Sequence, residues 1–126
     1  MKILIPLISA CIIAAACAGK DDSLVCSVAI ESPDSIIMAE TEISFSEGET
    51  VADVLKKITR REKIQAEVSG TGPTAYVRGI DNLYEFDMGP ESGWLYYVNE
   101  VKPDAGCGMY KVQEGDFIRW VYIIEE

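Results

Sequence analysis

Thr50-Val51-Ala52-Asp53-Val54-Leu55-Lys56-Lys57-Ile58-Thr59-Arg60-Arg61 is the stretch that decides the fold. Val51, Val54, Leu55 and Ile58 fall at i, i+3, i+4 and i+7, a single apolar stripe on an α-helix. The Thr50 hydroxyl can cap its first turn, and Asp53, three residues on, has the spacing of a capping box with a shorter acid than usual. Lys56, Lys57, Arg60 and Arg61 gather toward the end, where the helix dipole favours cations. A helix with one apolar stripe must lay it on something, and the rest of the chain reads as strands.

Upstream, Leu24 to Ile30 alternates as a first strand, with Leu24, Cys26, Val28 and Ile30 on one face. Ser32-Pro33-Asp34-Ser35 is a turn, Glu42 to Phe45 a second strand, and Glu47-Gly48-Glu49 turns the chain into the helix. Downstream, Ile64 to Val68, Ala75 to Val77, Gly79 to Asn82, Leu83 to Asp87 and Met109 to Val112 read as short extended pieces. A flexible Ser69 to Pro73 loop and the Lys102 to Gly108 connection lie between them. Gln113-Glu114-Gly115-Asp116 is a tight turn before the strongest strand, Phe117 to Ile124. There Phe117, Arg119, Val121 and Ile123 face one way, and Ile118, Trp120, Tyr122 and Ile124 the other. Apolar rows on both faces predict a central strand covered by the helix on one side. The fold class is α+β: one main helix packed on a mixed β-sheet, in an order that fits a β-grasp, ubiquitin-like arrangement.

Ser92-Gly93-Trp94-Leu95-Tyr96-Tyr97-Val98-Asn99 carries the candidate binding residues. Alternation sends Trp94, Tyr96 and Val98 to one face and Leu95, Tyr97 and Asn99 to the other. Trp94, Tyr96 and Tyr97 offer stacking area for a flat ligand, and Asn99 offers a paired donor and acceptor. The same alternation places one of the two faces inside, so part of the aromatic set is core whatever the function.

The N-terminus reads as an export signal. Lys2 precedes an apolar run from Ile3 to Ala16, of signal-peptide length and short for a membrane span. Ala14-Ala15-Ala16-Cys17 resembles a bacterial lipobox, and Ile8-Ser9-Ala10-Cys11 is a second, shorter-spaced candidate. The expected organisation is a lipoprotein signal peptide over 1–16, lipid attachment at Cys17, a polar tether over 17–23 and one domain over 24–126. The protein would then be exported and held at the extracytoplasmic face of the membrane. The net charge of −10 argues against nucleic acid and anionic lipid as partners. The chain has no histidine, which excludes Ser-His-Asp and Cys-His catalysis and the commonest zinc ligand. It also lacks a phosphate-binding glycine loop, a dinucleotide fingerprint and a D-x-D-x-D-G calcium loop. Carboxylate pairs stay open in so acidic a chain, but none is singled out, and no enzyme and no resident cofactor are expected. Past the lipobox Cys26 and Cys107 remain; an even count in an exported chain favours a disulfide, with two separately buried thiols as the alternative.

Four ordered segments carry a resemblance: Glu47 to Leu55, Gly79 to Asp87, Ser92 to Asn99 and Glu114 to Tyr122. Over about residues 24–124 the chain resembles the bacterial domain of unknown function related to the C-terminal domain of transcobalamin and intrinsic factor. The resemblance implies a β-grasp-like module. In the eukaryotic relatives that module closes over a corrinoid held by a second, helical domain, which has no counterpart in this sequence. It therefore implies a membrane-anchored binding module for cobalamin, another corrinoid or a similar flat polar molecule, with a surface or transport protein as partner. The alternative is a tethered cell-envelope protein–protein interaction module without a small ligand. Lacking histidine, the chain has no imidazole for cobalt, so a corrinoid would bind with its own base attached. Cys26 and Cys107 fall where some members carry cysteines, which adds to the disulfide expectation. Asn99 is followed by Glu100 where the pattern has glycine, so a different turn is expected there.

Overall fold

The computed structural model describes residues 23–125. The expected signal peptide, Cys11, Cys17 and all but the last residue of the tether lie outside the described residues. Seven strands and one α-helix are formed among those described: β1 (Leu24–Glu31), β2 (Ile36–Phe45), α1 (Val51–Glu62), β3 (Ala66–Ser69), β4 (Tyr76–Ile80), β5 (Leu83–Tyr84), β6 (Gly93–Val98) and β7 (Phe117–Ile123). None of these helical residues makes a helix long and apolar enough to cross a membrane. The class is α+β, with one helix on mixed sheets.

The helix forms as its sequence dictates. Asp53 N donates to Thr50 Oγ1 at 3.3 Å, and Thr50 N donates to Asp53 Oδ2 at 3.0 Å, so the capping box is closed in both directions. Two further N-terminal donors are satisfied from a distance: Val51 N reaches Tyr110 O and Ala52 N reaches Cys107 O. Val51, Val54, Leu55 and Ile58 are fully buried. Lys57 leaves the helix for Glu49 Oε1 at 2.9 Å and the Ser44 carbonyl at 3.1 Å. Lys63 ends the helix in the left-handed region at φ 60°, a role more often given to glycine.

Four strands make the main sheet in the order β2-β1-β7-β6, with β1 and β7 parallel at its centre and the outer pairs antiparallel. The predicted central strand is thus central. Its inner row, Ile118, Trp120 and Tyr122, is buried with Trp94, Tyr96 and Val98 of β6 and Val28 and Ile30 of β1. A second sheet, β3-β4-β5, is antiparallel and contributes Val77 and Ile80 to the same core.

Three predicted pieces differ. β2 is ten residues long and begins at Ile36, well before Glu42. Its pairing with β1 slips between Val28 and Ile30 and again between Ile30 and Glu31. Each slip opposes an extra β2 residue to β1, which breaks the alternation that would have marked the strand. Leu83 to Asp87 is a strand for two residues only; the chain then turns, with Phe86 at φ 72° and largely exposed. Met109 to Val112 is no strand: Met109 N and Tyr110 N both donate to the Gly106 carbonyl in a turn, and Lys111 makes one bridge to Thr50.

The disulfide expected between Cys26 and Cys107 is not formed. Both are free, buried thiols in different surroundings. Cys26 sits on β1 opposite Ile43, and Cys107 lies in the connection after β6, its sulfur 3.7 Å from the Ala75 carbonyl. Burial, with the Asp116 carboxylate next, pushes the Cys26 thiol up to about 11; burial also raises that of Cys107.

Candidate ligand-binding site

The aromatic run becomes β6, and its alternation holds residue by residue. Trp94, Tyr96 and Val98 are buried beneath the sheet, whereas Leu95 and Tyr97 are half-exposed on the outer face. Trp94 and Tyr96 are each 8% exposed, so both are core residues first. The Trp94 indole packs edge-on against Tyr122 at 5.2 Å between ring centroids, and its Nε1 donates to Leu83 O at 2.8 Å. Tyr96 packs 5.4 Å from the Trp120 ring, and its hydroxyl donates to the Ala105 carbonyl. Burial, with Cys107 and Tyr110 beside it, pushes that phenol up to about 12.

Tyr97 and Asn99 serve elsewhere. Arg119 stacks over the Tyr97 ring at 5.1 Å while it pairs with Glu31 and Glu100, a charged cluster on the outer face. The Asn99 side chain donates to Asp116 Oδ1 at 3.0 Å and accepts from Phe117 N at 2.9 Å. Asn99 and Glu100 are both left-handed, at φ 52° and 68°, and Val98 and Val101 close the tight turn with a pair of backbone hydrogen bonds. This is the two-residue turn that favours glycine at its second position. The missing glycine leaves the geometry of the turn intact, and Glu100 uses its carboxylate to hold Arg119.

A concave opening lies beside the inner aromatic pair. β4 pairs with β5 only through Gly79 and Ile80, so Tyr76 and Val77 face β6 with no ladder between them. The gap between the two sheets is a cavity of about 290 Å³ lined by Trp94, Tyr96, Trp120, Tyr76 and Val77 and closed by the Lys102 to Cys107 connection. A second cavity of about 150 Å³ shares Tyr76, Val77, Trp94 and Leu95 with it, so the two extend along the same seam. Of the four predicted contacts, Trp94 and Tyr96 border this trough and Tyr97 and Asn99 do not.

Two features hold the trough open and walled. Gly108 passes so close to the 72–75 segment that a Cβ would stand 2.1 Å from Gly72 O and 2.8 Å from the Ala75 side chain. Only glycine lets the connection seat there. The Tyr96-to-Ala105 hydrogen bond then ties the same connection to the floor. Sequence reasoning missed Trp120 and Tyr76 as lining residues. Trp120 was on the same inward row as Ile118 and Tyr122, so its face was legible; that two sheets would diverge above it was not. Among the described residues no group of three or more His, Cys, Asp or Glu could hold a metal ion.

Residues 48–123 match the family described as a domain of unknown function (DUF4430). No curated protein matches the chain. Among solved structures, one described as a candidate metal binding protein from Ruminococcus gnavus ATCC 29149 superposes with a TM-score of 0.55 at 14% identity, covering 79% of this chain and 96% of that one. Haptocorrin in complex with Cbi superposes with a TM-score of 0.67 at 12% identity, covering 89% of this chain and 28% of haptocorrin. The chain thus spans well under half of the haptocorrin chain. At these identities the likeness is one of fold.

Proposed function

Since this chain belongs to the DUF4430 family, a transcobalamin-related domain of unknown function, we propose that it is a binding module, not an enzyme, for a corrinoid or a similarly flat, polar small molecule. The observation that carries this reading is the trough between β4 and β6, an apolar concavity floored by Trp94, Tyr96 and Trp120. Small-molecule sites are of this kind: concave, largely aromatic, with few polar groups. At about 290 Å³ the main cavity stands at the lower end of ligand pockets. It would take an edge or a side arm of a corrinoid and leave the rest of the ligand outside. Haptocorrin, whose structure holds Cbi, shares the fold over 89% of this chain, which supports the ligand class. The strand order β2-β1-β7-β6, with parallel central strands and the helix following the first hairpin, supports the β-grasp reading.

In this reading Trp94 and Tyr96 contact the ligand by their rims, while Tyr97 and Asn99 hold Arg119 and the β6–β7 end in place. Each aromatic pair adds about 0.5–1.5 kcal/mol beyond its buried area. Export rests on the apolar run before Ala14-Ala15-Ala16-Cys17. The protein would be tethered by lipid at Cys17, or at Cys11, outside the cytoplasm. Labelling cells with a fatty-acid analogue tests this: the label is expected on the chain and lost in Cys17→Ser, and no label in the parent chain would refute the anchor.

Calorimetric titration of the full chain with cyanocobalamin and with a base-free corrinoid tests the ligand class. Saturable heat from at least one is expected. Silence from both would favour the second reading, a tethered protein-interaction module. The feature that favours that alternative is β2, a ten-residue edge strand with a largely exposed Ile36 at its start.

A further inference from the structure

The trough contains one polar atom that the fold leaves unanswered. Trp120 is 2% exposed and lines the main cavity beside Tyr96. Its indole Nε1 is the buried side-chain polar atom without a hydrogen-bond partner among the described residues. The neighbouring polar groups are engaged. The Trp94 indole donates to Leu83 O, the Tyr96 hydroxyl donates to Ala105 O, and the Tyr122 hydroxyl lies 2.8 Å from Tyr84 O and 2.9 Å from Ser92 Oγ. An unanswered buried donor costs about 1–3 kcal/mol, and native proteins meet such groups with a partner, a water or a ligand.

The chemistry of the missing partner follows from the walls. An indole nitrogen only donates, so its partner must be an acceptor. Lys102 and Asp104, of opposite charge, both line the closing connection, so the site has no fixed excess of either sign. A full negative charge placed there would lose its water in exchange for one neutral donor, an unfavourable trade. A neutral carbonyl oxygen meets the requirement without that cost. The remaining wall is aromatic and aliphatic and suits a flat group.

We propose that the trough is a site for a neutral, planar, carbonyl-bearing group, a carboxamide or lactam, whose oxygen accepts from Trp120 Nε1. Trp120 is then the residue that selects such a group over a hydrocarbon of the same shape. This rests on the small-molecule reading above and deepens it.

The chain contains two tryptophans, so a ¹⁵N-labelled full chain gives two indole cross-peaks. Titration with benzamide is expected to move the Trp120 indole proton downfield in a saturable manner and to leave that of Trp94, already bonded to Leu83, in place. Toluene is expected to bind about tenfold more weakly than benzamide, the effect of one neutral hydrogen bond. Trp120→Phe assigns the peak and should erase that preference. If this variant does not fold, the parent chain's indole shift decides alone. A Trp120 peak that ignores benzamide, or that keeps an unchanged contact with water throughout, overturns the proposal, as does equal binding of toluene. Should cyanocobalamin bind while benzamide leaves the peak still, this inference falls and the binding module stands. Should neither bind, both fall.

Discussion

Tyr96 and Tyr97 are chain neighbours with opposite situations, and the pair shows what single residues do here. Tyr96 is sealed under the sheet and borders the trough; Tyr97 lies under the Arg119 guanidinium on the other face. Alternation told the two faces apart, but rings on both sides hid which face was inside. Asn99 was equally ambiguous, because a terminal amide serves a ligand or a turn with the same atoms. Its hydrogen bonds go to Asp116 and to Phe117 N, so Asn99→Ala should lower stability by about 1–3 kcal/mol. Urea unfolding checks this, and the calorimetric affinity for a corrinoid should hold; a loss of affinity without a loss of stability would return Asn99 to the ligand. The buried acids make a second prediction. Cys26 rises from its ordinary 9.0 to about 11 and Tyr96 from 10.0 to about 12, because burial opposes the charged form. Folded values above unfolded ones mean that this stability is complete below about pH 9 and is lost as pH rises toward 12. Urea midpoints measured from pH 8 upward should therefore fall above pH 9, and a flat profile to pH 11 would contradict the burial of these two groups.

Among the elements, α1 was the most legible and β2 the least. The helix announced itself by a 3.6-residue stripe and by a cap whose two hydrogen bonds are both made. Removing the cap hydroxyl in Thr50→Ala should cost about 1 kcal/mol, read as a shift of the urea midpoint with an unchanged slope. The effect should be local, because Val51 N and Ala52 N keep their partners in the 107–110 turn. β2 was half visible because its bulges shift the alternation twice. Glu85 to Asp87 looked extended because Phe86 is apolar, yet its ring is exposed and its backbone left-handed. The Met109–Val112 segment misled for another reason. Its job is to supply the Tyr110 carbonyl to the helix start, a tertiary duty that leaves no local period.

At the scale of the molecule, the trough comes from topology. A four-stranded and a three-stranded sheet share one core but no ladder where β4 passes β6, and the connection after β6 bridges the gap. No pattern in the chain encodes a gap, which is why Trp94 and Tyr96 could be proposed as contacts while Trp120 and Tyr76 could not. The two thiols belong to this scale as well: an even cysteine count suggested a bond, whereas one sulfur lies on β1 and the other in the wall beside Ala75. Mapping backbone amide shifts while cyanocobalamin is added to the ¹⁵N-labelled full chain tests the central claim most directly. Changes concentrated at residues 75–77, 94–96 and 102–107 are predicted. Changes confined to Tyr97, Arg119 and Val121 on the outer face, or none at any residue, would contradict it.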